Sequence, residues 1–204
     1  MKFNFIKKLK SKYRGIYLKL YFYFKSKILF KDKYGLSYYL YKDTRPLNTF
    51  DIGVRTDDTT VLSTIDKILS SPTLQEKDFV YCIDVGAYIG VITLMMSKKL
   101  QKQNKLWSVH TFEPFDESFK KLEENVNLDR YKNNIKLNKI AVSDTQGFST
   151  LSTYKKTPGM NHLHDDNLSN DKKVDNYQKV KTITLSEYMT KNNIDNVSIC
   201  KIDT

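Results

Sequence analysis

"VYCIDVGAYIGVITLMM", residues 80–96, decides how the chain is read. A short apolar run meets Asp84, then Gly86 and Gly90 four residues apart, then a second apolar run. The pattern predicts a buried strand, "FVYCIDV" from residue 79, turning sharply into a mostly apolar helix over 88–100. Gly86 permits the turn, and Gly90 lets the helix start lie close to the strand. Two readings are open at this point. The turn serves only packing, or it frames a ligand at the end of the strand.

The neighbouring sequence continues the same rhythm. "LWSVHTF" (106–112) reads as a second strand and "IKLNKIAV" (135–142) as a third. Between them "DESFKKLEENVNL" (116–128) sets Phe119, Leu122 and Val126 on one helical face. Strand, helix, strand, helix, strand predicts a parallel sheet with helices on both faces. "GFSTLSTY" (147–154) and "KVKTITL" (179–185) read as further strands, separated by a polar, turn-rich loop over 155–177. Thr184 with Glu187 is a capping box that opens the helix "SEYMTKNN". "VSICKI" (197–202) is a last buried strand. Upstream, "TDDTTVLSTIDKILSS" (56–71) predicts a helix capped by Thr56 or Asp57, with Leu62, Ile65, Ile68 and Leu69 inward, and stopped by Ser71-Pro72.

In such a sheet, ligands bind beyond the carboxyl ends of the strands, near the point where strand order reverses. The predicted strand ends carry Asp84-Val85-Gly86, Glu113-Pro114, Ser143-Asp144 and Asp203. Glu113 stands 29 residues after Asp84, at the end of the next strand. A carboxylate there accepts two hydrogen bonds from the adjacent hydroxyls of a ribose. Asp144 suits an adenine amino group. The loop from Gly86 through Ala87 and Tyr88 to Gly90 holds no Lys or Arg, and Asp84 repels a pyrophosphate. A nucleoside with a cationic tail, such as S-adenosylmethionine, therefore fits better than NAD, although Gly-x-x-x-Gly alone leaves NAD open. Asp203 is the first candidate for a catalytic base on the acceptor, and His162 and His164 in the polar loop are the second. His110, inside the second strand, reads as a packed core residue. Cys82 and Cys200 read as buried reduced thiols of a cytoplasmic protein, and no metal site is predicted.

The charge is uneven. The net +11 lies in residues 1–42, which hold 12 Lys/Arg against the single acid Asp32, while the remainder is neutral. Ile6, Leu9, Tyr13, Ile16, Leu20, Phe24 and Ile28 recur at helical steps among these lysines. No uncharged run approaches the roughly 20 residues a membrane crossing needs. The segment is read as a basic helix docked on the domain or lying on an anionic membrane surface. Nucleic acid is disfavoured, because no nucleic-acid fold follows and the main domain lacks a second basic face. Residues 1–42 form this extension, 43–78 a helical lead-in, and 79–204 the sheet domain.

"IDVGAYIGVITLMMSKKL", "VHTFEPFDESFKKLEENV", "IKLNKIAVSDTQGFSTLSTY", "VKTITLSEYM" and "IDNVSICKIDT" together resemble the FkbM-type methyltransferases, with "DVGAxxG", "FEP" and "KID" the specific parts. The resemblance implies a Rossmann-like class I sheet that uses S-adenosylmethionine. It implies that Asp84, Gly86 and Gly90 form the methionine-end loop, that Glu113 binds ribose and that Ser143-Asp144 border adenine. It also implies methyl transfer to a hydroxyl of a sugar or polysaccharide-type acceptor. Tyr88 stands where the family usually has Asn. The family's last motif normally runs on past "KID" into further strands, so the sheet is expected to be incomplete at the C-terminus. The alternative is a non-catalytic relative that works as a membrane-surface or protein-binding module.

Overall fold

The computed structural model describes residues 20–31, 35–42, 56–103, 105–154, 161–163 and 174–203. The chain divides into two compact units, 1–64 and 65–204. His164, most of the 155–177 loop and the apolar stripe from Ile6 to Ile16 lie outside the described residues.

In the first unit, residues 20–24 are helical. Strands β1 (Lys27–Lys31) and β2 (Ser37–Tyr41) then pair antiparallel, Ile28 opposite Leu40 and Phe30 opposite Tyr38. The helix expected to reach Ile28 is thus corrected at its end, where Ile28 lies in a hairpin strand. "KILFK" and "SYYLY" are rich in β-branched and aromatic residues that pack well across strands, and Gly35 supplies the positive φ of the connection. Lys27 lies 4.4 Å from the centre of the Tyr39 ring.

Helix α1 (Thr56–Leu69) crosses into the second unit, where Ile65 and Leu69 are buried as expected while Ile68 is exposed. Pro72 ends one helix and begins another, α2 (Pro72–Gln75), at a position where a missing N–H costs nothing. The main sheet is parallel, in the order β10 (Ile199–Ile202), β3 (Phe79–Val85), β4 (Leu106–Phe112), β5 (Ile135–Asn138). Helix α3 (Val91–Leu100) covers one face. Ile83, Val85 and Phe112 point to the other face, where they join Ile183, Tyr188 and Ile194 in a core cluster. Each such buried side chain is worth about 1.5–3 kcal/mol. Tyr188 belongs to α5 (Leu185–Lys191), which begins in the predicted capping box, Glu187 N–H donating to Thr184 Oγ1 at 3.1 Å.

The strand expected over 135–142 is two strands in two sheets. β5 ends at Asn138, and β6 (Ala141–Val142) opens a second sheet ordered β6, β9 (Asn176–Ile183), β7 (Gly147–Thr153), β8 (His162–Leu163). The break has a local cause. The Asn138 side-chain amide donates to Thr111 O at 3.1 Å and to Lys136 O at 3.2 Å, and Lys139 turns away to pair with Asp116 at 2.8 Å. β10 is an edge strand among the described residues, with Cys200 and Ile202 exposed rather than buried. No described helix is long and apolar enough to cross a membrane.

Candidate functional site

The chain runs from β3 outward to β4 and β5, then returns to the other flank of β3 as β10. Strand order therefore reverses at β3, and its carboxyl end faces the gap between two diverging loops. The site is built at that end.

Parallel pairing aligns Lys201 with Asp84 and Asp84 with Thr111, so the three side chains share the face beneath α3. Thr93 of α3 donates to Asp84 Oδ2 at 2.6 Å and lies 3.0 Å from the Thr111 hydroxyl. Each hydroxyl has one proton, so Thr111 donates to Thr93 and Thr93 to Asp84. Lys201 Nζ stands 3.3 Å from Asp84 Oδ1. Burial pushes the Asp84 carboxyl above the ordinary range, opposed by the Lys201 charge and the Thr93 hydrogen bond. Asp84 is wholly buried, and Lys201 sits beside it. The expectation that Asp84 repels a phosphate at the rim therefore loses its basis.

The glycine turn is closed on itself. The amides of Gly86 and Ala87 both donate to Phe112 O at 3.0 Å, and Gly90 N–H donates to Ala87 O at 2.8 Å. Gly86 (φ +70°) and Gly90 (φ +87°) are left-handed, and a Cβ on Gly90 would meet Leu122 Cδ1 at 2.5 Å. The close approach at Gly90 is therefore not to the strand, as the sequence reading has it, but to Leu122 of α4 (Asp116–Val126). Asn125 of α4 ties the turn again by donating to Ile89 O at 2.8 Å.

Tyr88 is also left-handed, at φ +53°, a conformation that Asn tolerates and an aromatic residue resists. Its N–H donates to Glu113 Oε2 at 2.8 Å, while Phe115 N–H donates to Oε1 at 3.0 Å. Each Glu113 oxygen keeps one further lone-pair site. We predict that the usual ranking reverses at this position. Tyr88→Gly should be more stable than Tyr88→Ala by about 1 kcal/mol, because Ala carries the left-handed penalty and Gly does not. Paired urea unfolding curves check this; Ala equal to Gly or better would remove the strain argument.

Burial raises the Glu113 carboxyl to about 7, against the two backbone donors, which lower it. His110 shows the opposite case. It is buried between Ser108 Oγ (2.9 Å) and Tyr188 Oη (2.8 Å), and desolvation lowers it to about 4, which fits the expected core role. Between pH 4.5 and 7 the native Glu113 keeps a proton that the unfolded chain has lost. Its contribution is present below the lower pH and disappears as pH rises through about 7. The stability difference between the wild type and Glu113→Gln should therefore shrink over that window. A difference that is flat or grows between pH 5 and 8, measured by urea unfolding, would sink this. His110 acts oppositely, its contribution being lost as pH falls from 6.5 through about 4.

Asp203 continues the ladder through its N–H to Val85 O (3.1 Å), and its exposed carboxylate lies 3.6 Å from Lys201. Asp203 and the Gly86 turn thus meet at one rim, with Glu113 adjoining through Tyr88. Ser143 and Asp144 follow β6 of the second sheet instead of ending the third strand, and Ser143 Oγ donates to Asp144 at 3.1 Å. Val142, just before them, packs on the cluster that contains Val85 and Phe112. His162 sits on β8, the edge of the second sheet, paired with Ser152 and 5.7 Å from the Tyr154 ring. The sequence reading missed Lys201, Thr93 and Thr111. "KID" was the available signal for Lys201, but its role depends on strand register.

Residues 84–204 match the model of the methyltransferase FkbM domain. The chain belongs to the FkbM methyltransferase family. The motif resemblance seen in the sequence is thereby upheld over most of the second unit. Among solved structures, this FkbM chain aligns with a Pyrococcus horikoshii protein assigned to the transferases at 16% identity and a TM-score of 0.37. The alignment covers 57% of this chain and 37% of that one, so the FkbM chain spans little more than a third of the other's length. No curated protein matches it.

Proposed function

We propose that this chain carries the S-adenosylmethionine-binding part of an O-methyltransferase, on a Rossmann-like sheet. The observation that carries the reading is Glu113. Its carboxylate is held at the carboxyl rim by two backbone donors, one of them from the glycine turn, and each oxygen retains a lone-pair site. That arrangement fits a ribose diol. Gly86, Ala87, Tyr88 and Gly90 form the wall beside it, with Asp84 beneath the turn, and Ser143 and Asp144 are proposed to border the adenine. When bound, the cofactor supplies an already activated methyl group. The chain's own contribution is then to align the acceptor oxygen and exclude water. Asp203 is exposed at the rim and is proposed to accept the acceptor's proton; His162 is the second candidate.

The acceptor is proposed to be a hydroxyl of a sugar or polysaccharide-type molecule, by family resemblance. Residues 1–42 are proposed to touch an anionic membrane surface from the cytoplasmic side. Leu20, Tyr23 and Phe24 are exposed there beside Lys25 and Lys27.

Calorimetry with S-adenosylmethionine and with NAD tests the reading. The expected result is binding of S-adenosylmethionine, weakened about 10- to 100-fold in Glu113→Ala by the loss of charge-assisted hydrogen bonds. Binding of NAD without S-adenosylmethionine overturns the assignment. Binding of neither, with retained binding to phosphatidylserine vesicles, favours the non-catalytic alternative.

A further inference from the structure

The glycine turn is held from two sides. Towards β4, the Gly86 and Ala87 amides donate to Phe112 O. Towards β10, the Val85 and Gly86 carbonyls accept from Lys201 Nζ at 3.2 and 3.1 Å. The Lys201 side chain is 15% exposed and also faces Asp84 Oδ1 at 3.3 Å and Asp203 Oδ2 at 3.6 Å. An ammonium has three hydrogens. Two serve the carbonyls, and both carboxylates lie within ion-pair distance of the same ammonium. Asp84 Oδ1 is buried and makes no hydrogen bond among the described residues, so the Lys201 charge is its compensation there.

We infer that Lys201 is a positioning residue of the proposed cofactor site: it pins the carbonyl side of the Gly86 turn to the end of β10 and compensates the buried Asp84. The inference rests on reading this rim as the S-adenosylmethionine site. It assigns the Lys of "KID" a task that neither side of the turn performs without it. Val85 O retains Asp203 N–H as a second donor, whereas Lys201 is the described donor to Gly86 O. Gly86 is thus the residue whose geometry depends most on the ammonium.

Lys201→Met keeps the stem and removes the ammonium, but leaves Asp84 uncompensated and is expected to fold poorly. The deciding variant is the double one, Lys201→Met with Asp84→Asn, in which no carboxylate remains to be neutralised at that position. Native-state hydrogen exchange reads the Gly86 and Ala87 amides against Met96 and Leu122 in the core. The expected result is exchange at least 10-fold faster at Gly86 and Ala87 with Met96 and Leu122 unchanged. Calorimetry should show S-adenosylmethionine affinity falling at least 10-fold in parallel. Unchanged exchange at Gly86 and Ala87 overturns the inference. A double variant that fails to fold also overturns it, since Lys201 is then a folding residue and not a positioning one. If the wild type binds no S-adenosylmethionine, the functional reading fails by itself, and the exchange arm still decides whether Lys201 holds the turn.

Discussion

Gly86→Ala should destabilise the second unit by about 3 kcal/mol and abolish ligand binding at the rim. Two penalties add. A left-handed backbone costs a residue with a Cβ about 1–2 kcal/mol, and Gly86 sits at φ +70°. The Cβ would also be driven into the Asp203 carbonyl oxygen of the neighbouring strand, and overpacking of this kind costs typically 1–3 kcal/mol. The obstacle is backbone, not the end of a flexible side chain, so relief requires the turn or the end of β10 to move. Either movement disturbs the bonds from Gly86 and Ala87 to Phe112 O and the Asp203 N–H bond to Val85 O. Urea unfolding of both proteins measures the effect. A cost below about 1 kcal/mol would mean that the turn adapts freely and that its bonds to Phe112 O do not fix it.

Asp84→Ala is expected to cost about 3–5 kcal/mol, the range for removing one member of a buried ion pair. The carboxylate is wholly buried, the Thr93 hydroxyl donates to it, and Lys201 faces it across the β3–β10 pair. Its removal strands the Thr93 proton and leaves the Lys201 ammonium, itself largely buried, facing a void. Asp84→Asn should cost less, because its amide oxygen still accepts from Thr93. If thermal and urea unfolding rank Asn with Ala, the hydrogen bond is irrelevant and the charge alone matters. If both variants are as stable as the wild type, the row from Lys201 through Asp84 to Thr111 holds nothing together.

These two residues also show how far the sequence could be read. Gly86 and Asp84 were visible as a turn at a strand end, because a short continuous apolar run stopped at an acid and a glycine. The capping box at Thr184 and Glu187 was equally legible, since both of its bonds form within four consecutive residues. Glu113 was legible as an acid at a second strand end. What it binds locally was not, because its partners are amides of Tyr88 and Phe115, brought together only when two loops meet. The hairpin of 27–41 was misread as helix because Lys and aromatic residues at mixed spacing satisfy both periods, and cross-strand pairing decided between them. The split of 135–142 was hidden for a similar reason. An apolar run carries no mark of which sheet each half will join.

Sequence alone determined the strand–helix alternation from 79 to 126, the family, and the acids and glycines that punctuate the strand ends. All of these depend on local pattern, which is written in neighbouring residues. Tertiary structure alone decided that Asp84 is wholly buried, and that Lys201 is its neighbour. It also decided that the Asp203 carbonyl occupies the space a Gly86 side chain would need, and that Ser143-Asp144 follow a different sheet. The reason is register: residues 117 positions apart in the chain become side-by-side neighbours on one face only when β10 docks parallel to β3, Lys201 beside Asp84.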